Sequence, residues 1–150
     1  MSLSSDFAVT ADVALLTHRA GRLHIALVQR ANEPFSGWWA LPGGFVEVDE
    51  DLPEAAAREL AEETSLAIKP SSLAQLGAYG TPGRDPRGRV VSIVYWAVLS
   101  DLADPVGGSD AAACSFLAVD DIVSGLVSLA FDHGTILDDT LERARKEGVL

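Results

Sequence analysis

The stretch Gly44-Phe-Val-Glu-Val-Asp-Glu50-Asp51-Leu-Pro-Glu54-Ala-Ala-Ala-Arg58-Glu59-Leu60-Ala61-Glu62-Glu63-Thr64-Ser65-Leu66 decides how the whole chain is read. Asp51 is a favoured N-cap residue, and Glu54 three positions later completes a capping-box pattern. Pro53 falls in the first turn, where its missing N–H is no loss. The alanines and leucines up to Leu66 favour helix, and Pro70 ends any continuation. On that helix Glu59 and Glu63 stand four apart, so their carboxylates share one side, and Glu62 flanks it. Arg58 is four before Glu62 and placed to pair with it. Leu52, Ala56 and Leu60 form an edge to be buried, with Ala55 and Ala57 allowing close packing.

Three carboxylates in one patch repel each other unless something neutralises them. Mg²⁺ is a hard ion that takes carboxylate oxygens and keeps waters for phosphate chemistry. Two such ions about 4 Å apart can clamp both sides of a phosphoryl displacement. The competing reading is a solvated acidic face, which is what E-x-x-E-E on a helix usually is. The Gly43–Gly44 turn and the additional Glu50, at set distances upstream, favour a site.

Working outward, residues 7–16 (FAVTADVALL) are apolar and partly β-branched, and predict a strand. Residues 17–22 form a polar turn around Gly21, and residues 23–29 alternate, which pairs them with the first strand as a hairpin. Residues 30–43 predict a loop with Pro34, Gly37, Pro42 and Gly43. Strands are predicted over 73–79 and 89–99, joined by T-P-G-R-D-P-R-G, with a shorter one over 115–119. Asp120 and Asp132 are expected to cap a short and a longer final helix. This order predicts an α/β fold, a mixed sheet with helices on both faces.

At 150 residues the chain fits one domain. It is 48% hydrophobic and 22% charged, with a formal net charge of −11. That charge argues against nucleic acid as a partner, since duplex binding rests largely on neutralising phosphates with a basic face. It also requires that a phosphate substrate be screened locally, with bound metal the obvious means. The longest apolar stretch, Val90 to Leu99, is broken by Ser92 and too short to span a membrane. The start, MSLSSDF, has no basic region or apolar core, so no signal peptide is expected. One cysteine, Cys114, excludes an intrachain disulfide, predicts a small buried side chain and favours a reducing, cytoplasmic setting. The three histidines show no zinc spacing.

These residues resemble the Nudix box, G-x5-E-x7-R-E-U-x-E-E-x-G-U with U aliphatic. Gly44, Glu50, Arg58, Glu59, Leu60, Glu62, Glu63 and Leu66 fall in register, and Ser65 replaces the last glycine. The flanks W-W-A-L-P-G-G-F-V-E and G-R-D-P-R-G-R-V resemble the ADP-ribose pyrophosphatase branch of that family, and the likeness runs from about residue 7 to 147. It implies a Nudix-type α/β/α sandwich with the box as loop–helix–loop. It further implies Mg²⁺, with Mn²⁺ as a substitute, held by Glu59 and Glu63 with the Gly43 carbonyl. Glu62 would be a further ligand or an orienting partner, and Glu50 would brace the loop with Arg58. Hydrolysis of a nucleoside diphosphate derivative is implied, ADP-ribose giving AMP and ribose 5-phosphate, as is a homodimer. Relatives often carry a glutamate near E-A-x-W after the second long strand. Here the segment reads A112-A113-C114-S115-F116, so the general base stays unassigned between Asp110 and a box glutamate.

Arg84 and Arg87, in the Gly/Pro loop, are candidates to bind phosphate or the terminal ribose, because a guanidinium matches phosphate bidentately. The alternative is that Asp85 and the turn simply hold them. Arg30, after the second strand, either faces the same cleft or is structural. Phe35, Trp38 and Tyr79 are stacking candidates for a purine, and Trp39 is expected to pack. His133 reads as a helix-start residue. Two other functions compete: a nucleoside triphosphate sanitising hydrolase, and a non-catalytic ADP-ribose-sensing regulator. Against the regulator stand the intact box glutamates and the expectation that no stretch after the fold is left for a winged helix.

Overall fold

Phe7–Arg19 forms β1, and its two faces explain why residues 10–17 are buried without a break. Ala11, Val13 and Leu15 pack with Ala55, Ala56 and Leu60 of the helix α1 (Leu52–Thr64). Ala14 and Leu16 pack with Ile136, Leu137 and Leu141 of α3 (His133–Lys146) on the opposite side. A strand covered on both faces reads as a continuous apolar run. The computed structural model describes residues 7–108 and 111–150. Among them the sheet has seven strands in the order β3-β2-β1-β6-β5, with β4 on β1 and β7 on β2. β2 is Arg22–Arg30, β3 Trp39–Ala40, β4 Gly43–Phe45, β5 Ala74–Tyr79, β6 Arg89–Val98 and β7 Ala111–Ala118. The short α2 is Val119–Val123. The sheet is mixed: β1 runs parallel to β6 from Phe7↔Arg89 to Leu16↔Val98, and the other pairings are antiparallel. It is the α/β/α sandwich expected, with α1 on one face and α2 and α3 on the other.

The hairpin β1–β2 pairs only from Leu16↔Ile25 to Arg19↔Arg22, closed by Ala20 and Gly21, both at positive φ. Further back along β1 the partner is β4, through Thr10↔Phe45, Ala11↔Gly44 and Asp12↔Gly43. Between these stretches the N–H of Val13 donates to the Pro42 carbonyl at 2.9 Å. The two long strands therefore diverge into a fork, and the segment from Ala31 to Pro42 wedges it open. The fork positions the site.

Several elements differ from expectation. The predicted loop 30–43 contains β3 and the start of β4. The strand predicted over 115–119 begins at Ala111 and gives way to α2 at Val119. Asp120 lies inside the first turn of α2, whose N-cap is Ala118. Asp132 does occupy the N-cap of α3 but makes no capping bond, because its carboxylate holds Arg84. At α1 the Asp51 carboxylate accepts from the Leu52 N–H at 2.8 Å. Cys114 is half-buried rather than fully buried.

Ser65 stands where the box has glycine, and it takes the left-handed conformation itself, at φ 63. Its hydroxyl donates to the Val106 carbonyl at 2.9 Å, and the Val106 N–H returns to the Thr64 carbonyl at 2.8 Å. Segment 102–108 thus seals the end of α1. Ser65→Ala is expected to lose about 1 kcal/mol, since alanine keeps the left-handed penalty and forfeits the hydroxyl. Ser65→Gly should stay near wild type, because relief of the penalty offsets the lost bond. Urea midpoints test this; equal midpoints for wild type and Ser65→Ala would remove the hydroxyl from the account.

Candidate active site

The fork opens into a cleft of about 470 Å³. Thr10 and Asp12 of β1, Arg30 of β2 and Gly43, Gly44 and Phe45 of β4 form part of its lining. Glu59, Glu62 and Glu63 enter from α1, Arg84, Asp85 and Arg87 from the β5–β6 loop, and Phe131 and His133 from the start of α3.

Arg58 organises the acidic helix. Its guanidinium donates to both oxygens of Glu50 (2.6 and 2.8 Å), to Glu59 at 2.8 Å, to Glu62 at 3.2 Å and to the Phe45 carbonyl at 3.2 Å. Glu50 in turn accepts the Glu47 N–H at 2.9 Å. The Arg58 bonds, followed by that backbone bond, hold the Glu50 carboxyl down to about 2. Loop and helix are tied by a charged bond network at the point where β4 turns toward α1.

Glu63 has a different environment. Its carboxylate accepts the Gly43 N–H at 2.8 Å, and among the described residues no cation pairs with it. Burial, then the charges of Glu59 and Asp12, push it up to about 8. Glu59 is also raised, by burial first, with Arg58 opposing. The Glu59 carboxylate lies directly against Gly44, so a Cβ there would come within 2.7 Å of all three of its carboxylate atoms.

Sequence reasoning missed Asp12. It is buried in mid-strand, accepts from the Ser92 hydroxyl and from Thr10 at 3.5 Å, and crowds Gly43 so closely that a Cβ there would overlap it. Burial raises it to about 6. Its one sequence signal is a carboxylate inside the apolar run FAVTADVALL, which goes against the rule that buried charges are rare unless partnered.

The expected arginines all line the cleft, but two of them are engaged. Arg84 donates to both Asp132 oxygens (2.7 and 2.9 Å) and its side chain is almost wholly buried. Arg87 grips Asp85 through Nε and Nη2 (3.0 and 2.7 Å). Burial alone would raise Asp85, yet these bonds leave it lowered. Among the described residues the Arg30 guanidinium donates to the Pro34 carbonyl alone, through Nε at 2.7 Å. The stacking candidates need correction. Phe35 and Trp38 are not among the residues lining the cleft; they meet edge to face at 5.5 Å, and Phe35 backs Phe131 at 4.9 Å. The phenylalanines that do line the cleft are Phe45 and Phe131, which sequence reasoning passed over. Tyr79 is also elsewhere, its hydroxyl donating to Asp139 at 2.7 Å. Trp39 packs beneath the sheet as expected. His133 is buried, its Nδ1 accepts the Leu41 N–H at 3.0 Å, and burial lowers it to about 4. Asp110 lies outside the described residues.

Among the described residues no trio of His, Cys, Asp and Glu forms a ready metal cage. The donors nevertheless suit a hard divalent ion. Glu63 is a half-buried carboxylate with no cationic partner, Glu59 adjoins the same glycine pair, and Mg²⁺ keeps several waters rather than demanding an all-protein shell.

Known proteins resemble this chain in sequence and in fold. The chain is 45% identical over 120 residues to the ADP-ribose pyrophosphatase of Methanocaldococcus jannaschii, covering 77% of this chain and 64% of that one. It is 34% identical over 137 residues to the ADPR responsive transcriptional repressor NtrR of Acinetobacter baylyi, covering 90% of this chain and 53% of the repressor. The chain thus spans little more than half to two-thirds of these relatives. Among solved structures, a bifunctional NMN adenylyltransferase/ADP ribose pyrophosphatase from Francisella tularensis, complexed with AMP and a Mn ion, superposes with a TM-score of 0.80 at 30% identity. That match covers 91% of this chain and 41% of the other. The NUDIX domain family matches residues 6–140, nearly the whole of the fold just described. The chain belongs to the Nudix family.

Proposed function

We propose that this protein is a metal-dependent pyrophosphohydrolase that converts ADP-ribose and water into AMP and ribose 5-phosphate. The observation that carries the reading is the placement of Glu59 and Glu63 against the Gly43–Gly44 backbone, in a cleft that also presents arginines. The similarity to an ADP-ribose pyrophosphatase supports the choice of substrate.

Glu59 and Glu63, with the Gly43 carbonyl, would hold Mg²⁺, with Mn²⁺ as a substitute. Bound there, the ion would neutralise diphosphate charge and polarise the phosphorus–oxygen bonds. The chain's own residues do the rest. Glu50 and Arg58 fix the loop that presents Gly43 and Gly44. Glu62, more exposed than its neighbours and joined to Arg58, is the box carboxylate best placed to orient water or take its proton. Arg30, with Arg87, faces the substrate's phosphates. In the net reaction a water oxygen bonds to one phosphorus as the bridging P–O bond breaks. A homodimer in a cytoplasmic setting completes the proposal, and size-exclusion chromatography with light scattering tests the dimer.

The experiment is a substrate panel with Mg²⁺ or Mn²⁺, following AMP release. ADP-ribose is expected to surpass nucleoside triphosphates at least tenfold in kcat/KM. A preference for triphosphates would shift the reading to a sanitising hydrolase. The likeness to an ADPR-responsive repressor favours one second reading, a sensor. ADP-ribose binding without turnover, together with specific retardation of DNA fragments, would establish that instead.

A further inference from the structure

We propose that Phe131 is a positioning residue that seats Arg30 and Arg87 side by side, forming a dicationic receptor for the substrate's diphosphate. The proposal rests on the reading above for the identity of the substrate, but the geometry behind it stands apart. The cleft is rich in carboxylates, with Asp12, Glu59, Glu62 and Glu63 in its lining. Arg84 is neutralised by Asp132 and nearly buried. Among the described residues Arg30 has no carboxylate within ion-pair distance, and its side-chain hydrogen bond, to the Pro34 carbonyl, uses only Nε. Arg87 is tethered by Asp85, yet its side chain is 43% exposed. Arg84 and Arg87 each commit Nε and Nη2 to a carboxylate, but the Arg84 side chain is 5% exposed against 43% for Arg87, so Arg30 and Arg87 present their remaining N–H groups to the cleft.

Two guanidinium groups do not gather without help. Arg30 is lowered by burial first and by the charge of Arg87 next, so the pair repels. Asp85, bonded to Arg87 at 2.7 Å, offsets part of that repulsion, and Phe131 offsets more of it. The guanidinium carbon of Arg30 lies 4.9 Å from its ring centroid and that of Arg87 5.7 Å, both within cation–π range. Arg87 also sits 5.6 Å from the Phe45 ring, which extends the alternation along the cleft rim.

The backbone is arranged to put that ring there. Phe131 has φ 53, a left-handed conformation that is an outlier for a bulky side chain and persists only where the surroundings enforce it. The enforcement is visible on both sides. Leu129 bridges Trp39, the Ala130 N–H donates to the Trp39 carbonyl at 2.8 Å, and His133 accepts from Leu41. The turn Ala130-Phe-Asp-His133 is thereby pinned to the floor of the fork, and Phe35 supports the ring from behind. Strain at a residue that faces the cleft and contacts both arginines is explained by a role in presenting them.

The test compares Phe131→Leu and Phe131→Tyr with wild type. Phe131→Leu, which keeps bulk and removes the ring, should raise KM for ADP-ribose about tenfold with kcat within twofold. Calorimetric binding of inorganic pyrophosphate in Mg²⁺ should weaken by a similar factor and depend less on salt. Phe131→Tyr should restore both. Combining Phe131→Leu with Arg30→Gln should add little to Arg30→Gln alone, because the ring acts through the arginine. Unchanged KM and pyrophosphate affinity in Phe131→Leu, or a fall in kcat with KM intact, would overturn the proposal. Should Phe131→Leu fail to fold, Phe131→Met is judged by the same criteria. If wild type leaves ADP-ribose uncleaved while pyrophosphate binding still depends on the ring, the substrate reading falls and the receptor stands.

Discussion

Glu63→Gln is expected to stabilise the metal-free protein at alkaline pH while slowing ADP-ribose hydrolysis about 10³-fold, since it removes an anionic group proposed to hold the metal. The two effects share one cause. Burial, with Glu59 and Asp12 close by, raises Glu63 from an ordinary 4.5 to about 8. In the unfolded chain the same group ionises near 4.5. Between those values the folded protein binds more protons than the unfolded one, so stability falls as pH rises. Glu63's favourable contribution is complete below 4.5 and gone above 8. Asp12 adds a narrower window of the same sign, from 3.8 to about 6. Glutamine keeps the shape and has no charge to bury. At pH 8 without metal the variant should exceed wild type by on the order of 4 kcal/mol. That corresponds to roughly 10 °C in melting midpoint for a chain of this size. Mg²⁺ should flatten the wild-type slope and stabilise wild type more than the variant. Thermal melts at pH 5 and pH 8, with EDTA or Mg²⁺, measure all of this. A variant that melts below wild type at pH 8 in EDTA would sink the assignment.

Opposed changes in stability and activity are what a site built on like charges should show. Arg58 bonds to Glu50, Glu59 and Glu62, and none of its bonds reaches Glu63. Of the three helix carboxylates that line the cleft, Glu63 is therefore the one its resident cation does not reach.

How much of this was legible in the sequence depends on the range of the interactions. Helix α1 was readable because capping, alanine content and the spacing of three and four residues are all local. The hairpin turn at Ala20–Gly21 was readable for the same reason. Asp12 was not, because its partners Ser92 and Gly43 are brought to it by a parallel pairing and a β4 contact that only the folded sheet creates. Asp132 was placed correctly as a helix start, but its carboxylate went to an arginine 48 residues away. β3 and β4 were hidden in a segment whose prolines and glycines predict a loop, and tertiary pairing with β2 and β1 overrode that local preference. β7 starts in alanines that carry little strand preference of their own. Phe131 had no local signal, since its importance lies in a backbone angle and in two arginines that reach it from elsewhere.

Gly43 and Gly44 should respond to the same substitution in opposite ways. At Gly44 the three atoms nearest an added Cβ all belong to the end of the Glu59 side chain, at 2.5 to 2.7 Å. A flexible side chain can swing aside, so Gly44→Ala should fold with a loss of about 1 kcal/mol. The displaced carboxylate is one of the two proposed to hold metal, and moving it by an ångström should lower kcat about 10²-fold. At Gly43 the Cβ would overlap the Asp12 carboxylate and stand 2.5 Å from the Ala11 carbonyl. That carbonyl belongs to β1, which is paired on both edges and packed on both faces, so it cannot retreat. Gly43→Ala should therefore lose on the order of 3 kcal/mol or fail to fold. Urea midpoints alongside kcat separate the two. If Gly44→Ala proved the more destabilised of the pair, or kept full turnover, the carboxylate of Glu59 would not be held against this glycine and the proposed site would have to be redrawn.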